Sequence, residues 1–88
     1  MNNKLIVEFL GTAFFLYVIL KTGSAIPIGI ALVIAIMVGG GISGGHFNPA
    51  VSTMMAMAGK LPKSELFGYV GAQVLGGLAA LQVYNMTK

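Results

Sequence analysis

The chain of 88 residues contains no cysteine and no arginine, and only 8% of its residues are charged. Without cysteine it has no disulfide, no thiolate metal site and no nucleophilic thiol. Hydrophobic residues make up 57% of the chain, and the mean hydropathy is +0.91, which is too apolar for a solvated globular domain. The sequence therefore predicts an integral, multi-pass membrane protein in a lipid bilayer, and its length excludes a large soluble enzyme core.

The few charged residues are spread along the chain: Lys4, Glu8, Lys21, Lys60, Lys63, Glu65 and Lys88. Scattered lysines do not form the basic patch of a nucleic-acid-binding protein, so we expect no nucleic-acid partner. His46 is the single histidine, and no acidic residue lies near it at metal-ligand spacing, so we expect no metal site. Because the sequence has neither a nucleophile–base arrangement nor a cofactor motif, it indicates no enzyme and no cofactor.

Lysines and Gly/Pro clusters divide the chain into three long apolar stretches and one short segment. A membrane span takes roughly 20 residues, and we predict spans at about 5–22, 26–42 and 66–84, with a re-entrant loop and half-helix at about 43–58. A signal peptide is the alternative reading of the first stretch, but its cleavage would remove one of the three spans.

The short segment carries its own helix signals. Asn48 is a good N-cap, Pro49 suits the first helical position, and Gly59 is a natural stop. The predicted helix has ten residues, 49–58, and extends about 15 Å. This is half of a hydrocarbon core roughly 30 Å thick. Such a helix enters the membrane without crossing it. The non-helical backbone of residues 44–47 is tolerated at that depth only if it is buried in protein or lines a watery cavity, which favours a pore.

Small residues recur every fourth position in two of the predicted spans. They are Ala31, Ala35 and Gly39 in the second span, and Gly68, Ala72, Gly76 and Ala80 in the last. This spacing predicts close helix packing, although membrane helices are also simply rich in Gly and Ala.

The segment Ser43-Gly-Gly-His-Phe-Asn-Pro-Ala-Val51 resembles the signature of the aquaporin and glycerol-facilitator family, the major intrinsic proteins. Residues 8–12 (Glu-Phe-Leu-Gly-Thr) resemble that family's first helix, and Ala72-Gln73 its third. The resemblance implies an all-α membrane protein in which residues 1–88 form a single half-aquaporin repeat. One half of the inverted-repeat fold contains three transmembrane helices and one re-entrant half-helix.

By this resemblance the chain forms a passive channel for water or small neutral solutes such as glycerol. The resemblance implies that Asn48, Pro49 and Ala50 lie at the pore centre, where two half-helices meet end to end. The pore-lining carbonyls are then those of Gly44, Gly45, His46 and Phe47. The alternative is a non-conducting fragment, or a partner subunit that pairs with a different channel half.

One half-repeat needs a second, inverted half, and a second copy in the opposite orientation is one source of it. Lys4, Lys60 and Lys63 fall on one side of the predicted membrane, and Lys21 and Lys88 on the other. This weak asymmetry permits insertion in both orientations. We therefore expect a homo-oligomer with an inverted dimer per pore and, by resemblance, four pores formed by eight chains.

The resemblance, followed along the chain without gaps, also implies an apolar selectivity filter. Val51 stands where water-selective relatives carry arginine, and the other filter positions fall on Ile28, Ile36 and Gly45. Two further roles follow from the resemblance. Glu8 supports the re-entrant loop, with an ion pair to Lys4 as the alternative, and His46 orders the same loop.

Overall fold

The computed structural model describes residues 3–88, and the regular secondary structure in that range is entirely helical. Four α-helices follow one another along the chain, and a 3₁₀ turn at Lys63–Glu65 precedes the last: α1 (Asn3–Thr22), α2 (Ala25–Ser43), α3 (Pro49–Met57) and α4 (Leu66–Thr87). The all-α fold class predicted from the sequence is confirmed. The first two residues of the predicted 1–88 repeat lie outside the described residues.

Three of these helices are long and apolar enough to cross a membrane, namely Asn3–Thr22, Ala25–Ser43 and Lys63–Thr87. Three spans were expected, at 5–22, 26–42 and 66–84. Helix α2 extends one residue further at each end and includes Ser43, α1 begins two residues earlier, and α4 ends three residues later. It ends there because Gly44 adopts a left-handed conformation (φ 92°) and donates its N–H to the Gly40 carbonyl, a common C-terminal stop.

Helix α1 lies at the centre of the fold and packs against both α2 and α4. Glycines make these contacts close. A methyl group on Gly76 of α4 would lie 2.6 Å from the Phe9 carbonyl oxygen of α1, and one on Gly39 of α2 would lie 2.6 Å from Val7 Cγ1. The two spans that carry the small-residue repeats therefore both pack on α1.

The short helix α3 runs from the middle of the bundle towards the side where α1 and α4 begin. Its far end packs into a cluster of Ala56, Leu61 and Tyr69, against which Leu5 and Leu66 also pack. Nine residues give it a length of about 14 Å. Its first residues share a groove with the middle of α1 and of α4, so α3 occupies only one half of the bundle's depth.

Candidate functional site

The loop between α2 and α3 has an unusual backbone. Gly44, Gly45 and Phe47 all have positive φ angles, of 92°, 67° and 52°. Glycine adopts such angles at little cost, whereas a phenylalanine rarely does. These angles turn the chain sharply from the end of α2 back into the bundle, where α3 begins.

Every N–H group of loop residues 44–47 donates to an acceptor within the protein. The four bonds are Gly44 N to Gly40 O (2.9 Å), Gly45 N to Ser43 Oγ (3.1 Å), His46 N to Glu8 Oε2 (3.1 Å) and Phe47 N to Glu8 Oε1 (2.8 Å). The donor side of the loop is thus fully bonded to α1 and α2.

The carbonyl groups of the same four residues behave differently. Within residues 3–88, no N–H or O–H group donates to any of the carbonyl oxygens of residues 44–47. Buried carbonyl groups in native proteins almost always have a hydrogen-bond partner, whereas these four have none within the described residues. The loop therefore has one side on which the N–H groups are bonded and an open side on which the C=O groups are not.

Glu8 of α1 is the acceptor that the loop N–H groups of His46 and Phe47 share. It is fully buried, and its carboxylate accepts four hydrogen bonds. Two come from the loop N–H groups of His46 and Phe47, one from Ser43 Oγ (2.7 Å) and one from Gln73 Nε2 (2.9 Å). A carboxylate offers about four lone-pair sites, so all are occupied, which offsets the cost of burying a charge in a membrane. An ion pair between Glu8 and Lys4 was the alternative expectation; the Lys4 Nζ lies 3.4 Å from Glu65 Oε1.

A second set of polar contacts joins α3 and α4 to this carboxylate. Ser52 Oγ of α3 lies 2.8 Å from both His46 Nδ1 and Gln73 Nε2. Tyr69 donates its hydroxyl to the Ser43 carbonyl at 2.6 Å, and its ring lies 5.1 Å from the His46 ring. His46 is therefore held on two sides, and all four helices are connected through one buried network.

Asn48 caps the first turn of α3. Its Oδ1 accepts the Ala50 N–H at 2.8 Å, and Asn48, Pro49 and Ala50 are all exposed. Within the described chain the Asn48 Nδ2 group has no hydrogen-bond partner. The N-terminal end of α3 thus presents a free side-chain donor.

The predicted filter residues do not all lie close together within one chain. A methyl group on Gly45 would lie 3.5 Å from Ile36 Cγ1, so these two residues are neighbours, and Val51 lies half-buried in the first turn of α3. Ile28 precedes Ile36 by eight residues of α2, which is about 12 Å along the helix. A single chain therefore does not bring Ile28 together with Ile36 and Gly45.

The predicted packing residues of α4 face inwards to different degrees. Ala72, Gly76 and Ala80 are buried, whereas Gly68 is half-buried. A methyl group on Gly68 would lie 3.2 Å from Leu5 Cδ2. Four members of the polar network were not predicted as site residues: Ser43, Ser52, Tyr69 and Gln73. Their signal was available, because polar side chains within an apolar span need partners.

A groove of about 530 Å³ lies between α1 and α4, beyond the N-terminal end of α3. Its walls include Thr12, Leu16, Gln73 and Gly77, and Asn48 and Pro49 line one end. The groove occupies the half of the bundle's depth that α3 leaves free. In residues 3–88 no group of three His, Cys, Asp or Glu side chains is arranged to hold a metal ion.

Three long apolar helices, with a short helix held among them by a buried polar network, define an integral multi-pass membrane protein. The family model of the major intrinsic proteins matches residues 1–88, and the chain belongs to that family. This confirms the resemblance on which the sequence analysis relied. Members of the family are channels, not enzymes.

Two curated relatives bear the names of transport proteins. The chain is 40% identical to glycerol uptake facilitator protein-like 6 of Lactiplantibacillus plantarum, over 89% of this chain and 40% of the relative. It is 44% identical to Aquaporin Z of Brucella melitensis biotype 1, over 94% of this chain and 43% of the relative. The chain thus spans about two fifths of the length of these relatives. No solved structure matches it significantly.

Proposed function

We propose that the chain forms a passive channel for water and small neutral solutes, lined by the carbonyl groups of residues 44–47 and by Asn48. The observation that carries this proposal is the one-sided bonding of the loop. Four N–H groups are bonded to protein acceptors, while four consecutive carbonyl oxygens accept no bond within residues 3–88.

The bonding pattern favours a water-filled path for a simple reason. Lipid offers no hydrogen bonds, so irregular backbone at membrane depth persists only in protein or beside water. Water molecules moving along the open side exchange one carbonyl acceptor for the next. The free Nδ2 group of Asn48 then offers a donor at the end of the row. Glu8 contributes indirectly, because it holds the N–H side away from the path.

A second, inverted half completes the pore in this proposal, and we propose that a second copy of the chain supplies it. The groove between α1 and α4 lies in the half of the depth that α3 leaves free, and α3 itself, about 14 Å long, covers roughly half of a 30 Å core. Two oxygens, Thr12 Oγ1 and Gln73 Oε1, are buried without a hydrogen-bond partner in the described chain. Both residues line this groove, so a second half that fills it would pack against their side chains.

Pairing of this kind also accounts for the separated filter residues. With a two-fold axis in the membrane plane, Ile28 of one copy reaches the depth of Ile36, Gly45 and Val51 of the other. Each pore then has two apolar constrictions and no arginine. By the family resemblance, four such pores assemble from eight chains.

Electrostatics in such a pore favours neutral solutes. The aligned peptide dipoles place about half a positive charge at the N-terminus of each half-helix. Two such ends facing each other at the centre oppose the passage of cations. An apolar constriction offers no hydrogen-bond donors with which to reject glycerol. We therefore propose that both water and glycerol pass, in keeping with the two activities that the relatives' names record.

Reconstitution of the purified chain into liposomes tests the channel. We expect osmotic shrinkage in sucrose to accelerate with the protein-to-lipid ratio, and swelling in glycerol to do the same, relative to protein-free liposomes. Circular dichroism confirms that the reconstituted chain is helical. Shrinkage and swelling at the protein-free rate with a helical chain would contradict the proposal, and would favour a partner subunit that needs a different channel half.

A further inference from the structure

Phe47 combines an unfavourable backbone with a deeply buried side chain. Its φ of 52° lies in the left-handed region, where a side chain crowds its own backbone. The residue is nevertheless only 2% exposed. Such a conformation persists when the surrounding structure enforces it, and it is often associated with function.

Two glycines from different spans make room for the Phe47 ring. A methyl group on Gly11 of α1 would overlap the ring edge, and one on Gly39 of α2 would lie 3.3 Å from Phe47 Cζ. We call this space, bounded by Gly11 and Gly39, the Phe47 slot. Contacts this short leave no room for an added methyl unless the ring moves.

Phe47 also lines two grooves. One is an apolar groove of about 340 Å³ between α1 and α2, lined by Phe14 and Ile34 among others. The other is the groove between α1 and α4 that Asn48 lines. The position of Phe47 therefore sets part of the wall of the space beside the N-terminal end of α3.

We propose that Phe47, Gly11 and Gly39 form a positioning device that sets the solute size limit of the channel. The proposal rests on the proposed function. The Phe47 N–H is bonded to Glu8 of α1, on the closed side of the loop. Displacing the ring away from α1 therefore moves the backbone of residues 44–47 towards its open carbonyl side. The lumen narrows there, and the larger solute is affected first.

A reciprocal rescue experiment tests this assignment. Gly11→Ala adds one methyl that overlaps the ring, and Phe47→Leu removes ring volume. We expect Gly11→Ala to lower the glycerol-to-water permeability ratio severalfold in liposomes. The double variant Gly11→Ala/Phe47→Leu should return the ratio to within about a factor of two of the native chain, because the two volume changes compensate. Gly71→Ala, where an added methyl meets nothing within 4 Å, is the matched control and should leave the ratio unchanged.

A second measurement does not depend on conduction. Since the chain has no native cysteine, an Ala50→Cys background reports the exposure of the α3 end through its rate of reaction with a water-soluble maleimide. We expect Gly11→Ala to change that rate severalfold and the double variant to restore it. If the native chain conducts nothing, the proposed function fails while the labelling rates still decide the positioning role. An unchanged rate and ratio in Gly11→Ala, or a change that Phe47→Leu does not reverse, would overturn the inference.

Discussion

Glu8 of α1 and Gln73 of α4 meet through a hydrogen bond of 2.9 Å between Oε1 and Nε2, with both side chains at most 1% exposed. The same amide nitrogen donates to Ser52 of α3. Through this pair the carboxylate that accepts the loop N–H groups is also fixed to the two helices that follow the loop. The position of the loop is therefore determined by side chains of α1, α3 and α4 together.

Glu8→Gln tests this arrangement with almost no change of shape. The amide presents an NH₂ group where the carboxylate accepted bonds, so at least one buried donor loses its partner. Each unpaired donor costs about 1–3 kcal/mol. We expect a lower free energy of unfolding, measured by titration with a denaturing detergent, and a lower water permeability in liposomes.

Glu65→Gln is the matched control for that change. Glu65 pairs with Lys4 at 3.4 Å, and both side chains are partly exposed, so the pair contributes about 1 kcal/mol at most. Equal loss of stability in the two variants would show that Glu8 is no more important than a surface carboxylate.

Gly76 should tolerate no side chain, because its missing Cβ faces the Phe9 backbone rather than a flexible side chain. Gly76→Ala should force α1 and α4 apart and destabilise the chain by about 1–3 kcal/mol. Gly71→Ala, on the same helix with open space, should be neutral or stabilising by up to about 1 kcal/mol. Thermal unfolding in detergent measures both, and a Gly76→Ala variant as stable as Gly71→Ala would contradict the close α1–α4 contact.

Val51→Arg tests the apolar filter. An arginine facing lipid at the bilayer centre costs roughly 2.5–3.5 kcal/mol, whereas one facing a wet lumen avoids most of that. The larger side chain, with its five donors, should narrow the constriction and favour water. We expect normal assembly with a lower glycerol-to-water permeability ratio, and little change in Val51→Met. Normal assembly with an unchanged ratio would show that Val51 does not line the lumen. The assignment of Ile28 and Ile36 to the filter would then also be wrong.

Residues whose behaviour depends on their neighbours in sequence were the easiest to predict. Asn48 and Pro49 carry their own helix-start signal, and α3 begins at Pro49 as that signal indicates. The apolar runs likewise predicted three spans. Ser43, Ser52, Tyr69 and Gln73 were missed because they find partners on other helices. The Phe47 slot was not predictable either, since it forms only where Gly11 of α1 and Gly39 of α2 both lie against the Phe47 ring.

Insertion in both orientations is the next expectation. In the predicted topology Lys4, Lys60 and Lys63 lie on one side of the membrane and Lys21 and Lys88 on the other, and so weak a bias is expected to permit both orientations. A tag at the C-terminus should be accessible from both sides of the membrane in comparable amounts. A single orientation in at least about nine of ten molecules would exclude a pore made of two inverted copies in that membrane.

The most direct test of the account measures water permeability in membranes whose chains have been given one orientation. Asn3→Lys with Lys21→Gln biases the chain one way, and Lys60→Gln with Lys63→Gln biases it the other way. Each variant expressed alone should give low permeability, because inverted partners are scarce, and expression of both together should restore the native value. If either variant alone, verified as singly oriented by its tag, conducts water as well as the native chain, the pore does not consist of two inverted copies.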